Sequence, residues 1–300
     1  MHQTLRKNAY FPKDGIPIVV RKADCGKIAL HAHEFSEIVL VIAGRGLHVT
    51  EQENWPIAAG DVFVVNASQI HGYADPRDLK VINVLFDWEK LSPPLRDLKS
   101  LPGYFALFTL EPGWRKRHQF KSRLRLSPND LSRAHALVDS ICAEIEGRSP
   151  GFQTMVKTSF LQLVVFLSRC YGRSLVPASR ELFRIGEAIS FLQNNFDQEI
   201  YLEELARIAH MSRRNFLRVF REALGASPMA YLNQIRVARA VELLRHGGRS
   251  VTQIGFDVGF LDGNYFCRQF CQIMGESPGR HARRFERQRC GSPTIRNGEI

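Results

Sequence analysis

The sequence predicts an α+β protein of two domains: a small N-terminal β-barrel with a helical pair, then an all-α C-terminal domain. Three observations carry this. Residues 15–90 hold short β-branched runs bounded by Gly, Asp or Pro. From Ser127-Pro128 onward the apolar period becomes helical. Near the C-terminus, two stretches echo each other at an offset of fifty residues. With 300 residues and 44% hydrophobic content, the chain can bury a core in each domain.

The strand candidates are Ile16–Val20, Ile38–Ile42, Asp61–Val65 and Val81–Phe86, and such a series favours an antiparallel barrel or sandwich. Ser127 is placed as an N-cap with Pro128 at the first helical position. Leu131, Val138, Ile141 and Ile145 make the stripe of the helix that follows, which ends at Gly147. A second helix covers about Phe152–Tyr171 and is apolar on several sides. That pair either caps the barrel or dimerises, because an apolar stripe does not name its partner. Gly172-Arg-Ser-Leu-Val-Pro-Ala-Ser179 reads as a linker. The expected organisation is therefore 1–171 (barrel about 15–90, helices about 128–171), a linker at 172–180, a helical domain at 181–290 and a tail at 291–300.

The echo aligns Ser212–Phe220 with Asp262–Phe270, and Gly225-Ala-Ser-Pro228 with Gly275-Glu-Ser-Pro278. Each copy follows a short amphipathic segment, so the repeated unit is helix, tight turn, helix. In the first copy, Phe216, Val219 and Phe220 point inward. Arg214, Leu217, Arg218 and Arg221 share the outer face. Arginine forks onto guanine edges and phosphates and Leu touches thymine methyls, so this face suits a major groove better than solvent alone. In the second copy Ile254, Phe256, Val258 and Phe260 read as the support. Gly263, Asn264, Cys267 and Arg268 lie outward, with Asn264 a reader of adenine. Pro228–His246 reads as one 19-residue helix, about 28 Å long, with Tyr231, Ile235, Ala238, Val241 and Leu244 as its buried stripe. A rigid spacer near that length sets two reading helices about one DNA turn, roughly 34 Å, apart. The net charge of +11 agrees with an anionic partner. Residues 180–289 carry 17 Arg, no Lys and 12 acidic residues, the bias expected of a nucleic-acid reader.

This C-terminal text resembles the arabinose-regulator (AraC/XylS) family of bacterial transcription factors. The residues that carry it include Arg218-Val-Phe, Gly225-Ala-Ser-Pro, Arg236-Val-Ala-Arg-Ala, Val251-Thr-Gln-Ile, Val258-Gly-Phe, Asn264-Tyr-Phe and Gly275-Glu-Ser-Pro. The resemblance implies two helix-turn-helix motifs that bind promoter DNA and usually activate RNA polymerase. It places base contacts on Arg214, Leu217 and Arg218, then on Gly263, Asn264, Cys267 and Arg268. Gly255 stands where Ala is usual, and His281 where an aromatic is common.

In the N-terminal region, His31-Ala-His33 precedes Glu37, and Gly60-Asp61 precedes His71. On a strand His31 and His33 face the same way. Three imidazoles and a carboxylate form a set able to hold a divalent transition metal such as Zn, Ni, Fe or Mn. The pattern resembles the cupin barrel, with Asn66 and Ser68 in place of its usual Pro and Gly. His31, His33, Glu37, His71 and Asn66 are thus the expected effector-binding residues, with or without a metal, and His48 is a weaker addition. His33–Val41, Gly46–Val49, Gly60–Val64 and Asp78–Val84 are similar to the L-rhamnose-responsive branch of the family, which implies a small sugar effector. The expected function is a sugar-responsive, dimeric transcription activator with no catalytic residues. Two other readings stand beside it: a metal-dependent cupin enzyme fused to a DNA-binding tail, and a constitutive DNA-binding protein whose barrel only dimerises.

Six cysteines, at 25, 142, 170, 267, 271 and 290, follow no metal or disulfide-scaffold spacing. The N-terminus lacks a signal-peptide pattern, and the strongest apolar run, Phe160–Leu167, is too short to span a bilayer. A cytoplasmic protein without a membrane partner is expected.

Overall fold

The computed structural model describes residues 3–11, 15–24, 26–51, 53–91, 95–115, 124–173 and 176–290. The expected tail at 291–300 and Cys25 lie outside them. Among the described residues the strands are β1 (Gln3–Leu5), β2 (Ile18–Asp24), β3 (Ile28–His33), β4 (Ser36–Thr50), β5 (Asn54–Ala58), β6 (Asp61–Val65), β7 (His71–Phe86) and β8 (Leu124–Arg125). They form one sheet in the order β1-β3-β7-β4-β6-β8, with β2 added to β7 and β5 to β4. All pairings are antiparallel except β1 with β3.

Both faces of the central strands are covered, which explains why they read as unbroken apolar runs rather than alternating ones. One face carries Val39, Val41, Phe63, Val65 and Val81, which pack with Trp55, Ile57, Tyr73 and Leu79 inside the curled sheet. The other carries Ile38, Leu40, Val62, Val64, Ile82, Val84 and Phe86, all nearly inaccessible. Register shifts in β4 and β7 between Val41 and Leu47 bend the long strands, so each serves two parts of the sheet.

Short helices α1 (Lys7–Tyr10), α2 (Trp88–Leu91), α3 (Leu95–Leu98), α4 (Pro102–Tyr104) and α5 (Glu111–Arg115), with a π-helical stretch at Phe105–Leu110, precede the helical pair. The pair is α6 (Pro128–Gly147) and α7 (Phe152–Gly172). Ser127 caps α6 by accepting the Asp130 amide hydrogen at 3.1 Å. The ring of Phe160 on α7 lies 5.1 Å from that of Phe86, so the pair caps the outer face of the sheet.

The linker expected at 172–180 is shorter in the structure. Helix α8 (Pro177–Asn194) already begins at Pro177, where a proline at the first turn costs no hydrogen bond. Its buried stripe is Leu182, Ile185, Ala188, Ile189 and Leu192. A Cβ at Gly186 would stand 2.3 Å from the Pro102 carbonyl oxygen, so the backbones touch there. The chain divides into two compact units near Ser190/Phe191, within α8 and later than the boundary expected at 181.

The second unit contains α9 (Leu202–Ile208), α10 (Arg213–Leu224), α11 (Pro228–His246), α12 (Val251–Asp257), α13 (Gly263–Met274) and α14 (Pro278–Cys290). The echo in sequence is an echo in capping. Ser212 caps α10 through the Asn215 amide and Asp262 caps α13 through the Tyr265 amide. Gly225 and Gly275 end the two helices at φ of 73° and 74°. Helix α11 has the expected bounds but not the expected stripe. Leu232, Asn233, Ile235, Arg236, Val237, Ala240 and Leu244 are buried, whereas Ala238 is exposed and Tyr231 and Val241 are half-buried. The helix packs against α12, α13 and α14, so no single stripe describes it. Phe256, expected in the support, is 49% exposed. Among the described residues no helix is long and apolar enough to cross a membrane.

Candidate functional sites

The barrel unit gathers a buried cluster of titratable groups. β3 supplies His33, the start of β4 supplies Glu37, and β7 begins with His71, all nearly inaccessible. One ligand atom from each lies within 4.8 Å of the other two. Glu37 Oε1 stands 3.4 Å from His71 Nε2 and 4.0 Å from His33 Nε2. The other ring nitrogens are engaged. His33 Nδ1 donates to the Phe35 carbonyl, which leaves its Nε2 as a lone pair facing Glu37. His71 Nδ1 meets His48 Nε2 at 3.4 Å. Burial pushes the Glu37 carboxyl up to about 8. Burial likewise takes His33 down to about 4, against the Phe35 carbonyl, which favours its charged form. At neutral pH the Glu37 carboxyl and the His33 ring are thus both held close to neutrality.

Of the five barrel residues expected together, three converge. His31 lies half-buried beside the cluster, its ring 4.5 Å from that of His71, with Nδ1 3.0 Å from the Ala29 carbonyl oxygen. The register sets it directly across from His71 on β7, but it contributes no ligand atom to the group of three. Asn66 is not in the cluster either. Its side chain donates to the Phe108 carbonyl and its amide to Gln69 Oε1, so it shapes the turn after β6. His48 belongs with the cluster more closely than its sequence context indicated. It is 2% exposed and packed among Trp55, Phe63 and Tyr73. Asn83, which the sequence did not single out, shares a sheet face with Val39 and Phe63. Its side-chain oxygen has no hydrogen-bond partner among the described residues. Only the β4–β7 register brings these two residues to the interior.

A separate open groove of about 560 Å³ lies among Gly44, Arg45, Ala58, Ala59, Arg77, Asp78 and Arg125. None of the three clustered side chains lines it. Arg125 is already bound to Asp61 through Nε at 2.8 Å and a terminal nitrogen at 3.1 Å.

In the second unit, Phe216, Val219 and Phe220 bury the inner face of α10. Arg214, Arg218 and Arg221 are exposed on the outer face and Leu217 is half-buried. Arg218 is braced by Asn215 Oδ1 at 2.8 Å, and neighbouring Arg213 pairs with Glu203 at 3.1 Å. On α13, Phe266 and Phe270 point inward, Asn264 and Arg268 are exposed, and Gly263 and Cys267 are half-buried. A Cβ at Gly263 would meet only Thr252 Cγ2, at 3.8 Å. A Cβ at Gly255 would lie 2.8 Å from the Phe266 ring, which explains glycine there. His281 is buried, holds Glu276 at 2.6 Å and packs edge-on to Phe270, so it fills an aromatic position. Buried Arg236 reaches back from α11 to the Phe196 and Gln198 carbonyl oxygens at 2.7 and 2.8 Å.

Residues 23–164 match the family model described as the AraC-like ligand binding domain, and residues 205–284 match that described as a helix-turn-helix domain. The HTH-type transcriptional activator RhaR of Shigella dysenteriae serotype 1 is 30% identical over 284 residues, covering 93% of this chain and 96% of that protein. The RhaR protein of Mannheimia succiniciproducens is 27% identical over 282 residues, covering 94% and 97%. Among solved structures, the DNA-binding domain of AdpA in complex with a target DNA is 28% identical. It covers 36% of this chain and 98% of its own, with a TM-score of 0.35.

Proposed function

The chain belongs to the AraC/XylS family of DNA-binding transcription regulators, and from that premise we propose that it is a promoter-specific activator that responds to a small, L-rhamnose-like sugar held in the barrel. The observation that carries the DNA side is the pair of capped helices α10 and α13, each burying two or more phenylalanine or valine side chains and turning polar residues outward. Arg214, Leu217, Arg218 and Arg221 read one major-groove segment; Asn264, Cys267 and Arg268, with Gly263 allowing close approach, read the next. Helix α11, 19 residues and about 28 Å long, keeps the two in register, close to the roughly 34 Å of one DNA turn. The sugar side is supported by the buried cluster of His33, Glu37 and His71, with His31 at its edge and His48 and Asn83 behind it. It is supported also by the likeness to activators named RhaR over nearly the whole chain. The regulator acts in the cytoplasm as a homodimer that contacts RNA polymerase, and it carries out no catalysis. A sugar changes transcription only if it binds one arrangement of the units better than another.

A second reading, a constitutive DNA-binding protein, is favoured by one observation: nine buried apolar side chains pack the sheet interior beside the cluster. Footprinting of the full-length protein on the DNA flanking its own gene, with and without L-rhamnose and related sugars, separates the two. A sugar-dependent change over two sites about a turn apart is expected. Protection that ignores every sugar supports the constitutive reading, and no protection overturns both.

A further inference from the structure

The fifty-residue echo aligns Asn215 on α10 with Tyr265 on α13, and Arg218 with Arg268. The backbone amides of Asn215 and Tyr265 are held by the helix caps, Ser212 in one case and Asp262 in the other. Both side chains therefore leave a fixed first turn, three residues before the arginine, a spacing at which helix neighbours meet. The two arginines are exposed, and a guanidinium on a long flexible stem meets a guanine edge squarely in few of its rotamers. Whatever holds it in one of them sets how well it discriminates.

The two helices meet this need with different chemistry. Half-buried Asn215 accepts a hydrogen bond from a terminal nitrogen of Arg218 at 2.8 Å, which fixes the plane of the guanidinium. Tyr265 offers a ring instead, with Arg268 Cζ 6.0 Å from its centre. A ring orients a neighbour only if it is itself held. Tyr265 is 39% exposed, yet Phe260 packs against it at 5.8 Å and its hydroxyl oxygen accepts from Asn233 Nδ2 at 2.9 Å. Asn233 is buried on α11, and the same nitrogen reaches Gln269 Oε1 at 3.2 Å. Tyr265 and Gln269 stand one turn apart on α13, so this one amide sets the rotation of the helix about its axis. A buried amide costs stability unless its hydrogen bonds are made, and an apolar side chain would fill the same space. Here those bonds go to the reading helix. In α10 the position of Gln269 holds fully buried Val219, and no such tether is built.

We propose that Asn215 and Tyr265 are positioning residues that set base preference: Asn215 orients Arg218, Tyr265 orients Arg268, and Asn233 holds Tyr265 in place. This rests on α10 and α13 being the DNA-reading helices. A hydrogen bond fixes direction whereas a ring face fixes only height, so α10 is the stricter reader of the two.

Full-length protein is titrated against its footprinted operator, a panel with each base pair of both sites replaced in turn, and unrelated duplex DNA. Arg218→Ala and Arg268→Ala identify the base pair at which each arginine discriminates. At the base pair of Arg218, Asn215→Ala is expected to cut discrimination by about 3–10-fold, out of the roughly 5–150-fold that such a contact carries. Its binding to unrelated DNA changes by less than about twofold, because phosphate contacts carry that term. Asn215→Asp keeps the acceptor and so keeps the discrimination, although its added charge weakens binding to all DNA. Tyr265→Phe and Asn233→Leu each cut discrimination at the base pair of Arg268 by about 2–5-fold. The double variant is no worse than Asn233→Leu alone, since both break the same hydrogen bond. Each variant leaves preference at the other site intact, which a loosened unit would not. Unaltered preference in Asn215→Ala, a loss in Asn215→Asp as large as in Asn215→Ala, or equal loss at both sites overturns the role of Asn215. Additive losses in the Tyr265–Asn233 pair, or none, overturn the tether. If Arg218→Ala and Arg268→Ala themselves leave every preference unchanged, the assignment of the reading helices fails instead; preferences that move with the arginines but not with Asn215, Tyr265 or Asn233 defeat only the positioning roles.

Discussion

Arg236 offers the sharpest test of how the DNA-binding unit is held together. Its guanidinium is buried, donates to the Phe196 and Gln198 carbonyl oxygens at 2.7 and 2.8 Å, and lies 5.5 Å from the centre of the Phe260 ring. These contacts pin the segment between α8 and α9 against α11. A Cβ at Gly259 would stand 2.7 Å from the same Phe196 oxygen, so the segment is wedged from the other side as well. Hydrogen bonds from a charged donor contribute about 1.5–3 kcal/mol each. Phe196 is half-buried and Gln198 exposed, so water replaces part of what is lost. Removing the buried charge also relieves a desolvation cost. The net loss in Arg236→Met is therefore about 2–3 kcal/mol rather than the full sum. For a unit of this size, that lowers the midpoint by about 10–20 °C. Lysine, a point donor, is expected to recover less than half of the difference. The chain provides its own control, because its three tryptophans, Trp55, Trp88 and Trp114, all precede the second unit. Thermal unfolding followed by tryptophan fluorescence reports the barrel unit, while helical circular dichroism includes the second unit. In Arg236→Met the helical transition moves down and the tryptophan transition does not. A shift below about 0.5 kcal/mol, or an equal shift in both signals, refutes the reasoning.

Three further outcomes follow from the same geometry. Arg214→Ala and Arg218→Ala each weaken binding to the cognate operator by about 1–3 kcal/mol and relax base preference at their positions, as read by gel shift on a panel of operator variants; unchanged discrimination removes them from the base-reading set. Gly255→Ala drives a methyl group into the buried Phe266 ring and lowers the stability of the second unit by about 1–2 kcal/mol despite alanine's better helix propensity, whereas Gly263→Ala has room and does not destabilise it. The His281 hydrogen bond holds the Glu276 carboxyl below its usual range. A lowered folded pKa adds stability above the unfolded value that is lost as pH falls through the folded one, so Glu276→Gln is less stable than wild type at neutral pH and converges with it in acid, measured by unfolding across pH.

Local chemistry made much of this fold readable in one dimension. Ser127-Pro128 starts α6, Pro228 and His246 bound α11, Asp61–Val65 is β6 to the residue, and two capped Phe-containing repeats became α10 and α13. Each of these depends on near neighbours: a cap three residues from the amide it serves, or an apolar spacing that repeats along one helix. The outward set on α10 was legible for the same reason, since helical period alone assigns its face. What depended on distant segments was not. The buried set of α11 is fixed by three helices packing around it, so Ala238 was misplaced and Arg236 went unread as a clamp. The linker was drawn too long because the contact of Gly186 with Pro102 crosses more than eighty residues. In the barrel, the motif named His33, Glu37 and His71 together with His31 and Asn66, but hydrogen bonds in the turn after β6 hold Asn66 apart from the cluster, and only the register of β4 with β7 brought His48 and Asn83 to the interior. Capping and periodicity are local and survive in the order of residues. A site assembled from three strands is a matter of register and curvature, which the chain acquires only when it folds.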